Sequence, residues 1–362
     1  MTKPRIIAFY LPQYHPTPRN DKWWGKGFTE WTNVAKAKPL FPGHYQPHVP
    51  ADLGFYDLRL PENREAQAIM AKEYGIYGFC YYHYWFEQGF EELEKPLDEV
   101  VRLGQPDFPF CICWANEDWC AKFWNMDGTV GKKILAEQKY PGKEDNEAHF
   151  YRLLPAFKDS RYIRYNNKLV FVIYNPFGFV GIADFMSQWN NLAEQNGLPH
   201  FYFMAYNQNV DKNYDRIKDM GFDSVISCRL YHMGVSRNLF KRFYLKCLRP
   251  LVQLPIIVNY KKEYKKLIGP YENKEDVIPT IVPNWDHTPR SGKAGMVVTN
   301  TTPEFFEKHV ADVYSLLEEK KNEEQLCFLK SWNEWGEGNY LEPDQKFGSA
   351  YLVATRSVFI KN

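Results

Sequence analysis

The 362-residue chain has almost no net charge. Its 45 Lys and Arg against 44 Asp and Glu leave +1 with the histidines neutral, which excludes nucleic-acid binding by whole-chain electrostatics. No run approaches the ~20 apolar residues that a membrane span needs. The apolar stretch 6–11 is too short to be the core of a secretory signal. No Ser/Gly tract, internal repeat or low-complexity segment offers a place to divide the chain. Cysteines are few and odd in number, seven, most of them inside apolar runs such as Phe110-Cys111-Ile112-Cys113. That usage reads as reduced buried thiols in a cytoplasmic protein rather than a disulfide framework. No further Cys/His pair at ligand spacing completes a metal site with Cys111 and Cys113, so neither metal nor cofactor is expected. A Gly-rich phosphate loop after the first strand is missing, and so is any Asp-x-Asp.

Strands and helices are present in alternation. Apolar or β-branched runs bounded by turn residues occur at 5–11, 76–82, 108–114, 169–174, 201–206, 224–228, 279–283 and 326–332. Their near-continuous hydrophobicity suits parallel strands covered on both faces. Helical patterns lie between them at 62–74, 91–103, 146–157, 183–196, 214–220 and 303–320. Pro61 and Pro303 stand at first-turn positions, and Gly197 stands at a C-cap. Eight strands alternating with helices predict an α/β (β/α)8 TIM barrel over 1–362, a single domain with long active-site loops. A doubly wound open sheet is the competing fold. The long connections are 12–61 and 230–277; the second contains a basic insertion at about 231–277. Between 237 and 266 nine Lys/Arg face one acid, while the remainder carries 36 basic and 43 acidic residues. That segment reads either as a solvated helix face or as a peripheral dock on an anionic inner-membrane surface.

In a barrel the chemistry sits just past the C-terminal strand ends. Here those ends share one character: aromatic rings beside amides or acids, with no Lys/Arg cluster. Tyr10 ends the first strand, with Glu30 and Trp31 in the loop beyond. His83 and Tyr84 end the second, and Trp114, Asn116 and Glu117 the third. Tyr206 and Asn207 end the fifth, and Trp285 and Asp286 the seventh, with Arg290 further on. The eighth leads into Ser331-Trp332-Asn333-Glu334-Trp335-Gly336-Glu337-Gly338-Asn339-Tyr340. Flat rings for sugar faces and neutral polar groups for hydroxyls are what carbohydrate recognition requires, so these residues are the candidate substrate contacts, Asn333 and Trp335 included. Glu334 and Glu337, one helical turn apart, are the candidate catalytic pair. Their aromatic neighbours would desolvate them and drive their proton affinities apart. Glu30, Glu117-Asp118 and Asp286 are rival acids.

The segments Phe9-Tyr10-Leu11-Pro12-Gln13-Tyr14-His15, Gly27-Phe28-Thr29-Glu30-Trp31-Thr32-Asn33, Trp114-Ala115-Asn116-Glu117 and Trp332 to Gly338 closely resemble the WbsX-like proteins of bacterial O-antigen and capsule gene clusters. Those proteins are related to glycoside hydrolase family 99, the endo-α-mannosidases. The resemblance implies that Glu334 acts as base on a sugar 2-hydroxyl, giving a 1,2-anhydro intermediate with net retention. It further implies that Glu337 protonates the leaving oxygen and then activates water. One departure stands out: Gly336 occupies a position that is usually His in the hydrolases, so the substrate need not be a mannan. The leading expectation is therefore a retaining glycoside hydrolase or transglycosidase acting on an oligo- or polysaccharide, which could be lipid-linked. The alternative is a glycosyltransferase of lipopolysaccharide O-antigen biosynthesis; a catalytically inert sugar-binding module is a third option.

Overall fold

Runs of β-branched and aromatic residues long enough for strands alternate with amphipathic helices, and the strands close on one another. The computed structural model describes residues 3–124, 130–234, 254–322 and 324–360. Eight parallel strands form the barrel: β1 (Arg5–Tyr10), β2 (Ile76–Glu87), β3 (Phe110–Trp114), β4 (Lys168–Ile173), β5 (Phe201–Asn207), β6 (Ser224–Ser227), β7 (Val277–Ile281) and β8 (Leu326–Leu329). Neighbours pair in chain order, and β8 returns to β1 through the register Arg5↔Leu326 to Ala8↔Leu329. The expected TIM barrel is therefore the fold, and the open sheet is set aside.

Among the described residues the helices of two turns or more are α1 (Pro18–Trp24), α2 (Glu30–Lys36), α3 (Pro61–Glu73), α4 (Lys95–Leu103), α5 (Lys143–Lys158), α6 (Ile182–Gln195), α7 (Val210–Asp219), α8 (Pro303–Glu318) and α9 (Ala350–Phe359). The helix expected over 91–103 starts only at Lys95. Phe90–Glu92 is instead a strand pairing with the far end of β2, which runs out to Glu87. Gln88 and Gly89, both with positive φ, make the turn between them.

Strand parity sorts the side chains. Phe9 meets Tyr82, Tyr206 and Phe328 at centroid distances of 5.4, 5.8 and 5.0 Å, so residues of this parity fill the barrel interior. Their immediate neighbours must then face the helices. Tyr10 donates to Gln67 of α3, and His83 meets His149 of α5. Of the basic segment, 237–253 lies outside the described residues. The rest holds a strand, Ile256–Asn259, parallel to Met296–Thr299, and two short turns that carry Lys261, Lys262, Lys265 and Lys266. Among the described residues no helix is long and apolar enough to cross a membrane.

Candidate active site

The motif after β8 folds as a hairpin. Asn333–Glu334 pairs antiparallel with Asn339–Tyr340, and Trp335–Glu337 forms a single 3-10 turn between them. Asn333 pins the hairpin to the end of β1. Its Oδ1 accepts from the Leu11 N–H at 2.7 Å and its Nδ2 donates to the Leu11 carbonyl at 3.0 Å. The Tyr14 hydroxyl donates to the Asn333 carbonyl and accepts from the Trp335 N–H at 3.2 Å. Gly338, at φ +54°, closes the turn where a Cβ would lie 2.7 Å from the Asp286 backbone, and the Asp286 N–H donates to the Glu337 carbonyl at 2.7 Å.

The hairpin presents Glu334 and Glu337 to one cleft of about 340 Å³ at the C-terminal face of the barrel. Each carboxylate has its own cation. Glu334, 5% exposed, accepts from the Lys330 ammonium at 3.0 Å and from the Ser331 hydroxyl. Lys330 belongs to the interior parity, ringed by Tyr82, Tyr206 and Trp285 at 5.8–5.9 Å. Burial opposes its charge, but the Glu334 carboxylate outweighs that and holds the ammonium well above its ordinary value.

Glu337 accepts from the Arg290 guanidinium at 2.5 Å, with His287 Nε2 at 3.4 Å. Burial alone would push its carboxyl up; Arg290, then His287 and Lys330, hold it well below the usual carboxylate range. Arg290 also donates through Nε to Glu30 at 2.8 Å. Glu30 is the first residue of α2. Thr29 precedes it, its backbone N–H capped by the Thr32 hydroxyl, and the Glu30 N–H is tied to the Gln13 carbonyl. Burial pushes the Glu30 carboxyl above its ordinary value, Arg290 opposes the rise, and the charges of Glu337 and Glu334 add to it.

Of the residues expected to contact substrate, Glu30, Tyr84 and Glu117 line this cleft beside the two carboxylates. The others sit elsewhere. Tyr10 and His83 face the helix layer, as their parity requires. Trp114 is packed there too, its indole donating to the Trp85 carbonyl at 2.9 Å. Asn116 braces the loops after β3 and β4 through reciprocal bonds with Asn175 at 2.7 and 2.8 Å. Tyr206 stacks beneath Tyr174, and Asn207 accepts from the Asn209 N–H at the start of α7. Trp285 and Asp286 line a second cavity of about 330 Å³ behind the hairpin, where Asp286 accepts from His44 and Gln46 at 2.6 Å each. Asn333 is the tie to β1 already described. Trp31 and Trp335 form the hairpin's support, with ring centroids 5.7 Å apart and Trp335 stacked on Tyr340 at 3.7 Å.

The cleft is completed by Lys330, which the strand-end reading does not include, and by the strand-end neighbours Arg290, His287, Tyr82 and Tyr174, together with Trp24, Phe28 and Trp119. The signal for Lys330 in the sequence is its place two positions after Phe328, which puts it on the same inward face of the strand.

Beneath the hairpin lies Glu342, 3% exposed. It accepts from Trp335 Nε1 at 2.6 Å, Gln67 Nε2 at 2.7 Å and the Tyr56 hydroxyl at 2.9 Å. Burial pushes its carboxyl up to about 7 against those three donors. Because the folded value exceeds the ~4.3 of an unfolded glutamate, its stabilising contribution is full below that pH and is lost as pH rises through about 7. The wild-type Tm is therefore expected to fall more steeply from about pH 5 to 8 than that of Glu342→Gln. Parallel curves by differential scanning calorimetry would contradict this assignment.

The family profile described as Glycosyltransferase WbsX matches residues 6–355. The uncharacterized protein WxcX of Xanthomonas campestris pv. campestris strain B100 is 34% identical over 373 residues, covering 98% of this chain and 50% of that protein. Its counterpart in strain ATCC 33913 is 35% identical over 363 residues, with the same coverage. The chain thus spans about half the length of these curated relatives. Among solved structures, the GH99 endo-α-mannosidase from Bacteroides thetaiotaomicron shares the fold at TM-score 0.52 and 14% identity, covering 98% of this chain and 96% of that one. A glycoside hydrolase-like protein does so at TM-score 0.58 and 13% identity, covering 99% and 94%.

Proposed function

The chain belongs to the glycosyltransferase WbsX family, and we propose that it acts on glycosidic bonds of a bacterial surface polysaccharide as a retaining glycoside hydrolase or transglycosidase. The observation that carries this reading is the pair Glu334 and Glu337, facing one cleft from one hairpin on separate cations. In the proposed reaction Glu334 draws the proton from the sugar 2-hydroxyl while O2 closes on the anomeric carbon and the glycosidic C–O bond breaks. Glu337 gives its proton to the departing oxygen, then takes one from the water that attacks the anomeric carbon, while Glu334 returns its proton to O2 as the 1,2-anhydro ring opens. The Lys330 and Ser331 contacts hold Glu334 as an acceptor. Tyr84, Trp24, Phe28 and Trp119 offer ring faces to sugars along the cleft.

The second reading, transfer from a nucleotide sugar, is favoured by the family's description. Electrostatics argue against it. The cleft is lined by five carboxylates (Glu30, Glu117, Asp118, Glu334 and Glu337) and only two cations (Arg290 and Lys330), an excess of negative charge that repels a diphosphate donor. The cation-rich stretch 237–266 fits an enzyme held at an anionic surface that carries a lipid-linked glycan.

The roles of the two acids can be separated by leaving group. Glu337→Gln is expected to lose about 10²–10⁴-fold on the native polysaccharide and less on a glycosyl fluoride, which needs no proton to depart, the loss that remains being that of the base in the second step. Glu334→Gln is expected to lose activity on both alike. Equal responses of the two variants, or none, would remove this assignment.

A further inference from the structure

Glu337 rests ionised in the free protein, yet the proposed chemistry requires it to carry a proton; the neighbouring residues supply a way. Arg290 spans Glu30 and Glu337 with two different nitrogens, at 2.8 and 2.5 Å. Glu30 is 1% exposed and sits against the hairpin so closely that a Cβ on Gly336 would lie 1.5 Å from its Oε1 and 3.2 Å from Arg290 Nε. The space that a side chain at 336 would take is filled by a buried carboxylate and the guanidinium it holds.

We propose that Glu30 and Arg290 form a positioning couple for Glu337, in which the ion pairing of the guanidinium shifts from Glu337 to Glu30 as Glu337 takes up its proton. This inference rests on the glycosidase reading and adds residues whose place in the reaction that reading leaves open. Arg290 stays protonated throughout. The proton comes from the bulk solvent as hydronium, which leaves neutral water behind; the Arg290–Glu337 ion pair relaxes, and Nε keeps its bond to Glu30. When Glu337 releases the proton to the glycosidic oxygen, the ion pair reforms and offsets the new negative charge. A single cation shared by two carboxylates makes their charges mutually dependent. The other groups acting on Glu337 are His287 from the turn after β7 and Lys330 after β8. Glu334 acts on the shared Arg290, and Tyr174 and Tyr231 face Glu337 from the β4 and β6 ends. Of all these, only Glu30 is a second carboxylate bonded to the same guanidinium. The couple also accounts for the glycine. Any larger residue at 336 would evict Glu30.

The test uses the free protein labelled with [δ-13C]glutamate, so that its outcome does not depend on finding the substrate. Glu30 is assigned by the loss of its resonance in Glu30→Gln. Glu337→Gln mimics the neutral acid, and should lower the titration midpoint of Glu30 by about one pH unit, a tenfold change in its proton-binding constant. An unmoved midpoint overturns the coupling. On the native polysaccharide Glu30→Gln should lose about tenfold or more, with little change on the glycosyl fluoride. Equal loss on both would reduce Glu30 to a structural part and overturn the proposal. If wild type cleaves neither substrate while the midpoint shifts, the glycosidase reading fails and the coupling stands.

Discussion

Lys330→Met is expected to destabilise the protein by about 3–5 kcal/mol, the cost of leaving a buried carboxylate without its cation. The side chains of Lys330 and Glu334 are 4% and 7% exposed, and the ammonium also reaches the Tyr82 hydroxyl at 3.3 Å. Methionine fills the lysine stem's volume among Tyr82, Tyr206 and Trp285, so the loss reports the charge rather than a cavity. The double variant Lys330→Met/Glu334→Gln should recover part of the loss, because no unpaired charge then remains. Denaturant unfolding of the three variants measures both effects. A single variant as stable as wild type would mean that Lys330 does not compensate Glu334.

Gly336→Ala is the second large effect. Its φ is ordinary, so the penalty is one of space. The added methyl would overlap Glu30 Oε1 at 1.5 Å and Glu30 Cδ at 2.6 Å, so the buried carboxylate must leave its place beside Arg290. Overpacking of this kind costs about 1–3 kcal/mol and lowers Tm. Activity should fall as well, because moving Glu30 moves Arg290 and with it the counter-ion of Glu337. Adding Glu30→Ala should restore Tm towards wild type while leaving activity low. If Gly336→Ala keeps the wild-type Tm, the close packing of Glu30 against the hairpin is wrong.

The barrel was legible because its signal is repetitive. Eight apolar runs alternated with helical periodicity, and each strand fell within a few residues of its expected place. β2 ran further than expected because Gln88 and Gly89 turn it into a hairpin, a turn not visible in apolar patterning. The helices α1 and α2 leave no signal inside the long connection 12–61 because they are only seven residues each, too short to show a period. Among site residues, the carboxylates after β8 stood out by their framing with Trp and Gly.

Their supports did not stand out. His83 and Tyr84 are adjacent strand residues and face opposite sides, so only one of them can reach the cleft: Tyr84 does, and His83 faces the helix layer. Arg290 lies 47 residues before Glu337 and 260 after Glu30, and no local pattern joins the three. The glycine at 336 was visible as a departure, but its reason required seeing Glu30 folded against it.

The most direct measurement is the release of new reducing ends from the host's own surface polysaccharide, with no nucleotide sugar present. Wild type should release them, and both Glu334→Gln and Glu337→Gln should not. Sugar incorporation that depends on a nucleotide donor and persists in Glu334→Gln, with no reducing ends released by wild type, would contradict the account.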